Sequence, residues 1–194
     1  MLVHDAGEEG TKREERRLRG GPFGARERLL LALLVAVIAG SALAIGAVHT
    51  VVLVPIALLA VAAALAAVPL WLAPKPDRSW TAPGIVLLAL AAWSAIQAIP
   101  LPLAVLAKIA PANADVWARS LLPLGEHPTW GSLSLDPGAS LVEAVKWLTY
   151  ACTFLAASTM AMRRGPAFVL ALVFGSATLT AIVTLLHGMA SATK

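Results

Sequence analysis

Glu143 and Lys146 are the two side chains in this sequence best placed for proton chemistry. They stand three residues apart at the head of an apolar run, a spacing that puts both on one helix face. A carboxylate and an ammonium in that arrangement can shuttle a proton, or grip a polar substrate group, at the edge of a hydrophobic phase. A structural reading competes with the catalytic one. Ser140-Leu141-Val142-Glu143 matches the capping box Ser-x-x-Glu, in which the Ser140 hydroxyl accepts from an early helix N–H and Glu143 reaches back to the N–H of Ser140. Glu143 then sits at the positive end of the helix dipole, and Lys146 pairs with it or extends toward water. The capping pattern is the more specific signal, and the structural reading is preferred.

Other chemistry is sparse. His4, His49, His127 and His187 each lack a second His, Cys or carboxylate at metal-ligand spacing, so no metal site is expected. His49 and His187 fall at expected outer span ends, where an interfacial polar residue is ordinary. Cys152 is the single cysteine, which excludes an intramolecular disulfide, and its apolar surroundings suit a small packing residue. Nucleophile-elbow, P-loop and dinucleotide-binding patterns are all missing. No catalytic, cofactor-binding or metal-binding residue is assigned, and no cofactor is implied.

The elements that must position these residues are dictated by composition. The chain is 59% hydrophobic with a mean hydropathy of +0.80 and only 13% charged residues. Soluble domains carry about a quarter charged residues. Leu29–Val48 runs for twenty residues without a charge, enough at about 1.5 Å per residue to cross a hydrocarbon core of roughly 30 Å. The expected fold is an all-α integral membrane protein with about five transmembrane helices and a short interfacial helix in an outer loop.

The first two spans are expected at Leu29–Val48 and Val51–Ala73, forming a tight hairpin with Pro55 in the first turn or so of the second helix. Ala42-Leu43-Ala44 imitates a signal-peptide cleavage site, but the run is long and a second one follows at once, so cleavage is not expected. Pro74–Arg78 breaks the chain before a third span at about Pro83–Ile99. Residues 100–140 form the expected outer, periplasmic loop, with an interfacial or re-entrant helix at Leu101–Ala110 and a short helix after Asn113. Spans four and five follow at about Leu141–Met162 and Ala167–His187, within a region covering 141–188, and residues 189–194 form an outer tail. Trp71, Trp80, Trp117 and Trp130 fall near expected interfaces, as anchoring tryptophans do. Ala32, Ala36, Gly40 and Ala44 make a small-residue stripe on span one that would face another helix, with a weaker version at Ala171 and Gly175.

Residues 1–28 hold seven Lys/Arg and six Asp/Glu and read as a solvated, mobile cytoplasmic tail, with a short helix compatible with Lys12–Arg19. The formal charge of +4 does not point to nucleic acid, because the basic residues flank apolar runs as topology signals do. With the N-terminus inside, eleven Lys/Arg fall on the inner side and four (Lys108, Arg119, Lys146, Lys194) on the outer. That bias favours N-in and C-out. The spans carry no mid-membrane charge, and Gln97, the most polar residue near a span centre, lies close to an outer end, which disfavours transport.

GAVH at the outer turn of the hairpin, IQAIPLP after span three and WGSLSLDPGASLVEAVKWLTY before span four resemble, in this order, the N-terminal part of the bacterial O-antigen ligase and polymerase family. The resemblance covers roughly residues 29–187. It implies an inner-membrane protein whose partners are the lipid bilayer and a polyprenyl-diphosphate-linked glycan, acting in transfer or polymerisation of that glycan. The family's functional arginines and histidine lie in a large outer loop of its later half, so no catalytic residue is carried over. A five-helix piece is expected to be inactive alone and to need a second chain or a missing C-terminal half. The alternative reading is a non-enzymatic membrane scaffold or assembly subunit.

Overall fold

The computed structural model describes residues 24–43, 50–72, 81–120 and 122–192. The N-terminal tail up to Phe23, His49, Ala44–Val48 of the first expected span, Trp80 and the basic break at Lys75–Arg78 lie outside these. Helix dominates: α1 (Ala25–Leu43), α2 (Thr50–Trp71), α3 (Thr81–Gln97), α4 (Leu103–Ile109), α5 (Pro111–Ser120), α6 (Pro137–Arg164) and α7 (Pro166–Ala192). Two three-residue strands, β1 (Pro100–Pro102) and β2 (Trp130–Ser132), and a 3₁₀ turn at Leu122–Leu124 complete the described elements. The chain divides into two compact units, one holding α1, α2, α7 and α6 from Cys152 onward, the other Thr81–Ala151.

In the first unit, long aliphatic side chains of α1 press into alanines of α2. Leu30 and Leu34 are fully buried against Ala63, Ala67, Ala156 and Met160, with Phe168, Val169 and Leu172 of α7 packed on the same cluster. Val37 meets Ile56 and Ala60 in a second cluster that Cys152 borders. These two levels make α1 antiparallel to α2 and to the C-terminal half of α6, with α7 departing from the end where α1 begins. Cys152 fills the packing role expected of it.

The small-residue stripe is placed differently from expectation. Ala32 is exposed and Ala36 half-buried, whereas the buried stripe of α1 is Leu30, Leu34 and Val37. The close-packing small residues belong to α2, where Ala60, Ala63 and Ala67 are fully buried. Leucines need alanines opposite them for helix axes to approach, so the stripe had to lie on the partner helix. Gly40 of the expected set adjoins α2, where an added Cβ would lie 3.5 Å from Ile56 Cδ1, and Ala44 lies outside the described residues. Ala171 and Gly175 are exposed.

Among the described residues two helices are long and apolar enough to cross a membrane, over Val51–Trp71 and Pro166–His187. Pro55 and Pro69 are both accommodated inside α2. Ala82–Gln97 is apolar but shorter, spanning about 24 Å at the helical rise. α1 bears Arg26, Glu27 and Arg28 in its first turn, and α6 carries charges at both ends.

The second unit departs most from its expected layout. The single helix expected over Leu101–Ala110 is a strand followed by a seven-residue helix, because Pro102 (φ −56°, ψ 135°) is held extended. Pro100–Pro102 pairs antiparallel with Trp130–Ser132, in the register Pro100 to Ser132, Leu101 to Gly131 and Pro102 to Trp130. The helix expected after Asn113 begins earlier, at Pro111, where proline's fixed φ and missing N–H suit a first helical position. Leu106 and Ala114 form the buried centre of this folded connector.

Candidate functional site

Polar side chains concentrate in two places, one in each unit. In the connector, Asn113 Nδ2 donates to the carbonyl of Leu133 at 2.5 Å, and Trp117 Nε1 donates to the carbonyl of Ser132 at 3.0 Å. Both donors lie on α5, one turn apart, so a single helix face pins residues 132–133. Ser134 N donates to the carbonyl of Gln97 at 2.9 Å, joining the connector's end to the end of α3. Gly131 lies under the Trp117 indole so closely that a Cβ would sit 2.8 Å from Cγ and Cδ1. Trp117 is thus a half-buried packing and hydrogen-bonding residue of the connector, whereas Trp130 is exposed.

The start of α6 corrects the capping box. Asp136 Oδ1 accepts from Ala139 N at 2.9 Å, and Ser140 N donates to the Asp136 carbonyl at 3.1 Å. Asp136 is therefore the N-cap and Pro137 the first helical residue, three positions ahead of Ser140. Ser140 Oγ instead donates to Ser134 Oγ at 2.7 Å, while Ser134 Oγ donates to the Asp136 carbonyl at 2.8 Å. Aspartate followed by proline is itself a strong start signal, and it outranks the serine pattern here. Glu143 is left free to pair with Lys146, Oε1 to Nζ 2.7 Å, as the spacing predicts.

At the end of the first unit, Glu27 accepts from two consecutive arginines. Arg163 Nε bonds Oε1 at 2.7 Å and Arg164 Nη2 bonds Oε2 at 2.5 Å. The Glu27 side chain is only 12% exposed and that of Arg164 8%. Burial pushes the Glu27 carboxyl up, but the two guanidiniums outweigh it and hold its pKa below the ordinary carboxylate value. Gly165, at φ 94°, supplies the left-handed turn between α6 and α7 that leaves both arginines at this end. No sequence pattern singled out Glu27. The available signal was an acidic residue in the first turn of a helix whose inner-side neighbours are basic.

Among the described residues no group of three or more His, Cys, Asp or Glu could hold a metal, and no buried side-chain N or O lacks a hydrogen-bond partner. His127 is exposed, and His187 lies in the last turns of α7. Gln97 ends α3 and contributes its carbonyl to the connector. His4 lies outside the described residues. The contacts described fix backbone positions in the connector and neutralise charge at the Glu27 cluster. The chain matches no family model, no curated protein and no solved structure.

Proposed function

We propose that the chain is a multi-pass module of the bacterial inner membrane that takes part, without catalytic residues of its own, in transfer or polymerisation of polyprenyl-diphosphate-linked glycans. In this reading α1, α2, α3, α6 and α7 cross the bilayer, the N-terminus is cytoplasmic, and the connector and C-terminus lie outside. The observation that carries it is that the stretch with the family resemblance is a built element. Gly131, Ser132, Ser134, Asp136 and Ser140 each make a specific contact that shapes the connector or starts α6.

The Glu27–Arg163–Arg164 cluster supports the crossing pattern. It puts the start of α1 and the end of α6 at one end of the first unit, which requires an even number of crossings between them. If α1 and α2 cross, then α3 and α6 cross together or not at all.

A scaffold reading is favoured by one observation of its own: Asn113, Trp117, Ser132, Ser134 and Asp136 spend their polar groups on bonds that shape the connector and start α6. The test separates the two. Cells lacking the chain should lose transfer of the lipid-linked glycan, with the undecorated acceptor accumulating, and regain it with the wild-type gene. Unchanged glycan transfer would leave only the scaffold reading. Cysteine-accessibility labelling should place positions within 111–139 outside and Lys75–Arg78 inside; labelling of the connector from inside would overturn the topology.

A further inference from the structure

The helices that the proposed topology sends across the bilayer come in two lengths. Val51–Trp71 and Pro166–His187 offer 21 and 22 apolar residues, about 31–33 Å at the helical rise, which matches a hydrocarbon core of roughly 30 Å. α3 has 17 residues in all, about 26 Å. Its connector end is fixed. Ala98 N and Ile99 N donate back to the carbonyls of Ala95 and Ile96, Pro100 opens β1, and Ser134 N holds the Gln97 carbonyl at 2.9 Å. The broad exposed face of α3 is apolar along its length, with Ile85, Val86, Leu88, Trp93 and Ile96 on it.

α6 is longer, at 28 residues, but charge limits how much of it hydrocarbon can cover. Its uncharged stretch, Trp147–Met162, measures about 24 Å. At one end Lys146 Nζ meets Glu143 Oε1 at 2.7 Å, and the rings of Trp147 and Tyr150 follow, edge to face with centroids 5.7 Å apart. Tryptophan and tyrosine beside a charged pair mark the headgroup level. At the other end Arg163 and Arg164 are held by Glu27, which keeps their guanidiniums from reaching outward to lengthen the span. The N-cap Asp136 follows Ser134 by two residues, so the end of α3 and the start of α6 are tied to one short segment.

From these two short spans we infer that α3 and α6 sit in a bilayer thinned locally to about 24–26 Å. This rests on α3 and α6 crossing as proposed above. A span shorter than the hydrocarbon core is accommodated by thinning the bilayer or by snorkelling. Tilt would shorten its reach further, and α3 carries no Lys or Arg with which to snorkel. Without thinning, Gln97 or the Glu143–Lys146 pair would be drawn into hydrocarbon, which is costly. Beside these helices a lipid headgroup would have a shorter path between leaflets.

The test reads depth along α3 in the full chain. Ala82→Cys, Leu88→Cys and Ile99→Cys are made singly with Cys152→Ala, spin-labelled, and placed in dioleoyl and then longer-chain dierucoyl phosphatidylcholine vesicles. Collision with oxygen, which favours hydrocarbon, is compared with collision with a water-soluble nickel chelate. In both lipids the labels at Ala82 and Ile99 should meet nickel several-fold more often than the label at Leu88, which should be oxygen-rich. Nickel access at Leu88 equal to that at the ends would mean that α3 does not cross, and the crossing reading itself would fall. An oxygen-rich Leu88 with either end sunk beside it in the longer lipid would keep the crossing and overturn the thinning. Low access of both reagents at Leu88 would place protein rather than lipid on this face and overturn it too. Cys152→Ser serves if Cys152→Ala does not fold.

Discussion

Glu27 and Arg163 stand 136 positions apart in the chain and meet at 2.7 Å, with Arg164 closing on the second carboxylate oxygen at 2.5 Å. One carboxylate satisfying two consecutive guanidiniums ties the first turn of α1 to the last turn of α6. Because the cluster is largely withdrawn from solvent, it is more exposed to loss of a partner than a surface pair would be.

Glu27→Gln should therefore destabilise the protein by about 3 kcal/mol, since it leaves two partly buried guanidiniums without their counter-charge. The apparent Tm in detergent should fall clearly below that of the wild type. An unchanged Tm would mean that the two arginines find other partners at no cost.

Acid should act on the same site. The folded Glu27 pKa is lowered, so the unfolded state, titrating near pH 4.3, binds the proton more tightly. The stabilisation is fully present above that unfolded pKa and is lost as pH falls through the lower folded one. A Tm series from pH 7 to pH 3 should show a drop at its acid end that Glu27→Gln lacks.

Gly131→Ala should loosen the connector. Its Cβ would need to occupy space 2.8 Å from the Trp117 ring and 3.1 Å from Leu106 Cδ2, and a rigid indole on a buried leucine cannot move without breaking the Trp117–Ser132 bond. The expected cost is about 1–3 kcal/mol, seen as faster limited proteolysis within residues 121–136. Trp117→Phe, which removes the donor but keeps most of the ring, should show a milder version.

Asp136→Ala should cost about 0.5–2 kcal/mol through loss of the α6 cap, whereas Glu143→Gln, which breaks an exposed pair, should cost about 0–1 kcal/mol. Thermal melts of the two variants should keep that order. A reversed order would restore Glu143 to the capping role that its sequence pattern suggests.

Local features of this protein were legible from its residues, and non-local ones were not. Runs such as Val51–Trp71 and Pro166–His187 announce apolar helices by composition alone, and the Glu143–Lys146 pair follows from helical spacing. The start of α6 was misassigned because two local start signals fall within eight residues, and Asp136-Pro137 prevailed over Ser140-x-x-Glu143. The β1–β2 pairing, the Trp117–Gly131 contact and the Glu27 cluster join segments far apart in the chain. Periodicity carries no information about which distant partner completes such a contact. The small-residue stripe shows the same limit, since alanine spacing on α1 could not say that α2 would supply the buried alanines.

The strand pair has a mechanical consequence. Pro100–Pro102 and Trp130–Ser132 form a neck, reinforced by the bond from Leu103 N to the Thr129 carbonyl and by that from Ser134 N to Gln97. The helices Leu103–Ile109 and Pro111–Ser120 follow this neck, and the second is pinned back onto it by the Asn113 and Trp117 bonds to the carbonyls of Leu133 and Ser132. The far rim of this lobe, Leu122 to His127, is exposed throughout. Extra sequence spliced into that rim would enlarge the lobe without shifting the end of α3 or the start of α6, making the rim a natural docking post for an inserted domain or an affinity tag.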